Sequence, residues 1–112
     1  MSDKWEWFGY AQHLIVARSC HFHLATRING RYLVSTVGDY RPGDKSKMES
    51  IGSNEGDYFE TFVFNCTSKM DSCGCCPEIE SYEELDGRRS SYAWDAQRIH
   101  LEYCEKYSKE QS

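Results

Sequence analysis

Cys20-His21-Phe22-His23-Leu24-Ala25-Thr26-Arg27-Ile28-Asn29-Gly30-Arg31-Tyr32-Leu33-Val34-Ser35-Thr36-Val37 reads as two strands around a turn. Asn29-Gly30 tolerates the positive φ angles of a type I′ turn, whose twist matches the strands it joins. Before it, Cys20, Phe22, Leu24, Thr26 and Ile28 alternate with His21, His23, Ala25 and Arg27. After it, the run is β-branched and aromatic. A two-residue turn pairs His23 with Thr36, Ala25 with Val34 and Arg27 with Tyr32. Phe22, Leu24, Ile28, Leu33 and Val37 then form a core face, and His23, Arg27, Tyr32 and Thr36 the opposite one.

Working outward, Tyr58-Phe59-Glu60-Thr61-Phe62-Val63-Phe64 is apolar on both faces, which suits a central strand, and His13–Ala17 offers a further short apolar run. Between them, residues 38–57 contain four glycines and one proline without periodicity. A loop that long in a small domain suits a functional role. Ala93, Ala96, His100, Cys104 and Tyr107 recur at helical spacing, so a helix is expected from about Ser91 to Lys109, capped by Ser90 or Ser91. The expected fold class is α+β: a small antiparallel sheet with one C-terminal helix packed on it, in a single domain spanning residues 1–112.

The chain has 112 residues and a net charge of −5, divided unevenly. Residues 1–47 sum to +3 and residues 48–112 to −8, with Glu78, Glu80, Glu83, Glu84 and Asp86 crowded together. That segment is either a solvated loop or an acidic surface for a basic protein, one that normally binds nucleic acid being an example. Direct nucleic-acid binding is disfavoured, because phosphates repel a net anion. No run approaches the roughly 20 apolar residues of a membrane span. The first residues lack the apolar centre of a signal peptide, so a cytoplasmic location is expected.

Six cysteines are many for such a location. Cys73-Gly74-Cys75-Cys76-Pro77 holds three, Cys66 lies upstream, and Cys104 follows His100 by one helical turn. Zinc takes four N or S donors at roughly 2.0–2.3 Å. Cys73 and Cys75 on a glycine-containing knuckle, with His100 and Cys104 on the helix, would supply them; Cys66 and Cys76 are reserves. The competing readings are buried reduced thiols, which only pack, and a disulfide framework, which the expected compartment disfavours.

His21, His23, Arg27, Tyr32 and Thr36 are the candidate ligand-binding residues. A histidine there could act as acid or base under a lid made by residues 38–57. No phosphate-binding loop, dinucleotide-binding glycine pattern, Gly-x-Ser-x-Gly or His-Glu-x-x-His fixes a reaction. Cys20 and His23 fall on opposite faces of their strand, which argues against a nucleophile pair.

Taken in order, several blocks resemble a family of small phage and prophage proteins. They are Trp7-Phe8-Gly9 with His13, Cys20-His21-Phe22-His23 with Thr26, Tyr32–Gly38, Tyr58–Phe64, Cys73-Gly74-Cys75 with Pro77-Glu78-Ile79, and His100 through Cys104 to Lys106. The resemblance spans nearly the whole chain. Relatives carry a longer segment before the Tyr-x-Glu-Thr block and glycine at the position of Cys76, which favours Cys75 as a ligand. It implies a phage setting and no particular chemistry. The expected function is that of a small accessory protein that binds a host protein and carries a structural zinc ion. The alternative is a small enzyme acting on a nucleotide or modified host molecule through His23, Arg27, Tyr32 and Thr36.

Overall fold

A computed structural model describes residues 4–11, 17–72 and 74–110. The described residues form strands β1 (Trp5–Phe8), β2 (Cys20–Ile28), β3 (Tyr32–Tyr40), β4 (Phe59–Met70), β5 (Pro77–Ile79) and β6 (Asp86–Ser90), then helix α1 (Ala93–Ser108). All pairings are antiparallel, in the order β1-β2-β3-β4, and β4 takes β6 along its first half and β5 along its second. The expected α+β class holds.

The turn forms as its sequence dictates. Asn29 and Gly30 both take positive φ (53° and 69°), and the Arg31 amide donates to the Ile28 carbonyl at 3.0 Å. The register nevertheless differs from expectation by one residue: Ile28 faces Tyr32, Thr26 faces Val34 and Leu24 faces Thr36. Arg31 is an extra residue, so the loop holds three residues instead of two. Side chains alternate with a period of two, so this slip exchanges the faces of one strand relative to the other.

Two cores result, one on each side of the sheet. Ile28, Val34 and Val63 pack under Ile99, Tyr103, Cys104 and Tyr107 of α1. Ala25, Leu33, Val37 and Cys66 face the other way and bury Ala11, Ala17 and Ile51. Burying a Val, Leu or Ile side chain stabilises by roughly 1.5–3 kcal/mol, so both layers contribute. Two glycines make room for aromatics: a Cβ on Gly38 would lie 1.9 Å from the Phe59 ring, and one on Gly87 would lie 2.5 Å from Phe62.

Helix α1 begins within two residues of expectation, but its N-cap is Tyr92 with no side-chain cap, so neither Ser90 nor Ser91 plays that part. Asp86 on β6 holds the helix instead, accepting from Lys106 Nζ at 2.6 Å and from the Tyr103 and Tyr107 hydroxyls at 3.2 Å each. The run His13–Ala17 lies outside the described residues except for Ala17, which is helical.

Candidate functional site

Register and helix phase together bury His100 completely between sheet and helix. Its Nε2 lies 2.9 Å from the Thr26 hydroxyl and its Nδ1 2.7 Å from that of Thr36, which in turn lies 2.8 Å from the Thr61 hydroxyl. Both ring nitrogens are satisfied, which a buried imidazole requires. Burial pulls its pKa down to about 4, so the ring is neutral at physiological pH. Trp7 stacks over it at 5.5 Å. His100 is thus the floor of a small recess.

Among the described residues, the sequence-based metal set does not assemble around it. Each His100 nitrogen is held by a threonine, and Cys104 is a fully buried free thiol whose pKa burial pushes up to about 12. Among the described residues, neither joins Cys75 in a cluster of metal-ligand atoms. Cys73 lies outside the described residues. Cys66 is a buried free thiol on the opposite face. The spacing that put His100 and Cys104 on one helix face was read correctly, but that face looks into threonines and aliphatics.

A different group forms at the tip of the β4–β5 hairpin. Ligand atoms of Asp71, Cys75 and Cys76 lie within 4.8 Å of one another and can hold a metal ion. The Cys76 thiol donates to Asp71 Oδ2 at 2.8 Å, the two sulfurs are 4.0 Å apart, and the Asp71 amide closes the turn on the Cys76 carbonyl at 2.9 Å. Gly74 sits at φ 75°, the conformational freedom that the knuckle needed. Cys75 is disulfide-bonded, so its sulfur becomes a thiolate donor only on reduction. Burial, with the Asp71 carboxylate adding to it, pushes the Cys76 thiol up to about 12. Sequence reading ranked Cys76 only a reserve and missed Asp71, although Asp71 sits two residues before the knuckle.

The polar platform is divided by the extra turn residue. His23 and Arg27 lie on the side away from the helix; Tyr32 and Thr36 lie on the helix side. His23 accepts from the Ala11 amide, contacts the Cys20 carbonyl at 2.8 Å and stacks on Tyr10. Arg27 is buried, forks onto both Glu6 oxygens (2.9 and 3.1 Å), donates to the Thr67 and Lys69 carbonyls, and lies over Phe8. It pins β1 and β4 to β2. Tyr32 packs against Tyr107, and His21 is exposed. The four residues of the catalytic alternative are thus divided between the two faces of the sheet.

What the fold does display is an aromatic face. The recess of about 190 Å³ over His100 is walled by Trp7, Leu24, Gln97 and Leu101. Trp94, Gln97 and Leu101 follow one another at helical spacings of three and four, so they form one row along α1. Trp94 (66% exposed) stacks on Tyr92 (62%), while Trp7 is 52% and Leu101 44% exposed. Trp5 is not part of this face: it donates to Ser108 and packs into the helix-side core. No helix among the described residues is long and apolar enough to cross a membrane. Comparison of the chain with protein-family models, with curated proteins and with solved structures gives no match.

Proposed function

We propose that this chain is a small phage-type accessory protein that acts by binding a host protein in the cytoplasm, and that it binds through the aromatic face. The observation that carries the reading is four large apolar side chains left in solvent: Trp7 and Leu101 wall a recess with a hydrogen-bond-satisfied floor, and the stacked Tyr92–Trp94 pair stands at the start of the same helix. Contiguous exposed apolar surface marks interaction sites, and tryptophan and tyrosine dominate the energetics of protein interfaces. The phage setting rests on the resemblance of the ordered sequence blocks. Zinc is the metal we assign to Asp71, Cys75 and Cys76 once the disulfide at Cys75 is reduced, since borderline-soft zinc accepts sulfur and carboxylate together. It would brace the tip of the β4–β5 hairpin, away from the aromatic face.

Capture from bacterial host lysate with the full chain tests the binding. A protein retained at moderate salt by the wild type and lost in the Trp94→Ser/Leu101→Glu variant is the expected result. Both side chains are exposed, so the variant should melt within a few degrees of the wild type. Equal retention by both proteins, or none by either, would overturn the reading.

A further inference from the structure

The side of the sheet away from the helix carries a larger cleft of about 420 Å³ between loop, β4 and β6. Phe62 and Gly87 line it from the sheet, Asn54 and Asp57 come from the loop, and Glu84 from the acidic segment. The ring is fixed, because it presses on Gly87, where any Cβ would collide. Two arginines border the cleft, and both are engaged. Arg89 donates to the buried Glu60 carboxylate at 3.0 Å and is flanked by Gly52, where a Cβ would come within 3.3 Å of Nη2. Arg88 lies 3.3 Å from Glu102. Asp57 and Glu84 have no ion pair among the described residues. The cleft therefore combines an aromatic ring packed on Gly87 with two carboxylates that form no ion pair among the described residues. Burial first, and the Glu84 charge in addition, hold the Glu60 pKa above the usual carboxylate range, so Glu84 is close enough for its field to matter.

A cation with a flat apolar face meets both features: it stacks on the ring quadrupole while its edge donates to carboxylates. Guanidinium has that shape and is weakly hydrated, whereas ammonium is a compact, strongly hydrated point charge. We propose that this cleft receives an arginine side chain from a basic segment of the partner protein, stacked on Phe62 and hydrogen-bonded to Asp57 and Glu84. The inference rests on the reading of the chain as a protein-binding module and adds what kind of partner it takes.

The test uses the full chain and two synthetic nine-residue peptides, one with three arginines and one with lysines in their place, titrated by calorimetry. The arginine peptide should bind at least tenfold tighter than the lysine peptide. The Asp57→Asn/Glu84→Gln variant should lose tenfold or more, and a Glu78→Gln/Glu80→Gln control of the same charge change less than threefold. No binding, equal binding of both peptides, or an equal loss in the control would overturn the proposal. Peptide binding that persists in the Trp94→Ser/Leu101→Glu variant supports the cleft whatever happens to lysate capture. Capture without peptide binding overturns the cleft alone.

Discussion

Two buried polar groups behave oppositely at the scale of single residues. His100 is fully satisfied and has its pKa pulled down from 6.5 to about 4 by burial. The sign follows from which state takes the proton. Below pH 6.5 the unfolded chain becomes protonated at this residue and the folded chain does not, so this contribution is complete above 6.5 and is lost as pH falls toward 4. Its full size is about 3 kcal/mol. His100→Gln should be less stable at pH 7, yet lose less stability than the wild type between pH 7 and 4 in urea titrations. Parallel pH profiles would refute the assignment. Ser35 is the contrary case, its buried hydroxyl having no hydrogen-bond partner among the described residues. An unsatisfied buried hydroxyl costs about 1–3 kcal/mol, so Ser35→Ala should raise the thermal midpoint despite deleting a core atom. A lower midpoint would mean that the hydroxyl has a partner.

At the scale of elements, the same reasoning separates what was legible from what was not. The Asn29-Gly30 turn carries its conformation in two residue types, and it forms. Nothing in the identity of Arg31 says that it is surplus, and that one residue moved Tyr32 and Thr36 to the face opposite His23 and Arg27. The helix was legible because α1 runs sixteen residues with a sustained apolar face. β6 was not: Asp86-Gly87-Arg88-Arg89-Ser90 has no intrinsic strand preference and is a strand because β4 pairs with it. The candidate site was less legible still, since its recess draws on β1, β2 and α1, which only the fold brings together. Pairing has a price in allowed residues. Gly38 lies opposite Phe59, whose ring covers it and meets Phe22 edge-on at 5.2 Å. Gly38→Ala should cost roughly 1–3 kcal/mol by displacing that ring. Adding Phe59→Leu should restore part of the loss, a coupling that a double-mutant cycle in urea would read. Strict additivity would rule the clash out.

On the scale of the whole molecule, β4 is the strand on which everything converges, with β3 on one side and two short partners end to end on the other. β5 offers three residues and β6 five, while β2 and β3 offer nine each. Opening β5 breaks few bonds and leaves the long ladders closed, so it can fray without the rest. In deuterium oxide the molecule should therefore keep two clocks. Amide protons of β2, β3 and the first half of β4 should exchange only as often as the chain unfolds completely. Those of β5 and the hairpin tip, the sulfur-bearing knuckle among them, should wash out orders of magnitude sooner. Mass spectrometry of peptic fragments would read the boundary between residues 79 and 86, and a single uniform rate across it would show that the two partners of β4 open together. If the reduced knuckle holds the proposed ion, it would gain or release that ion while the aromatic face and its recess stay assembled, so metal exchange at the tip would leave the aromatic face unchanged.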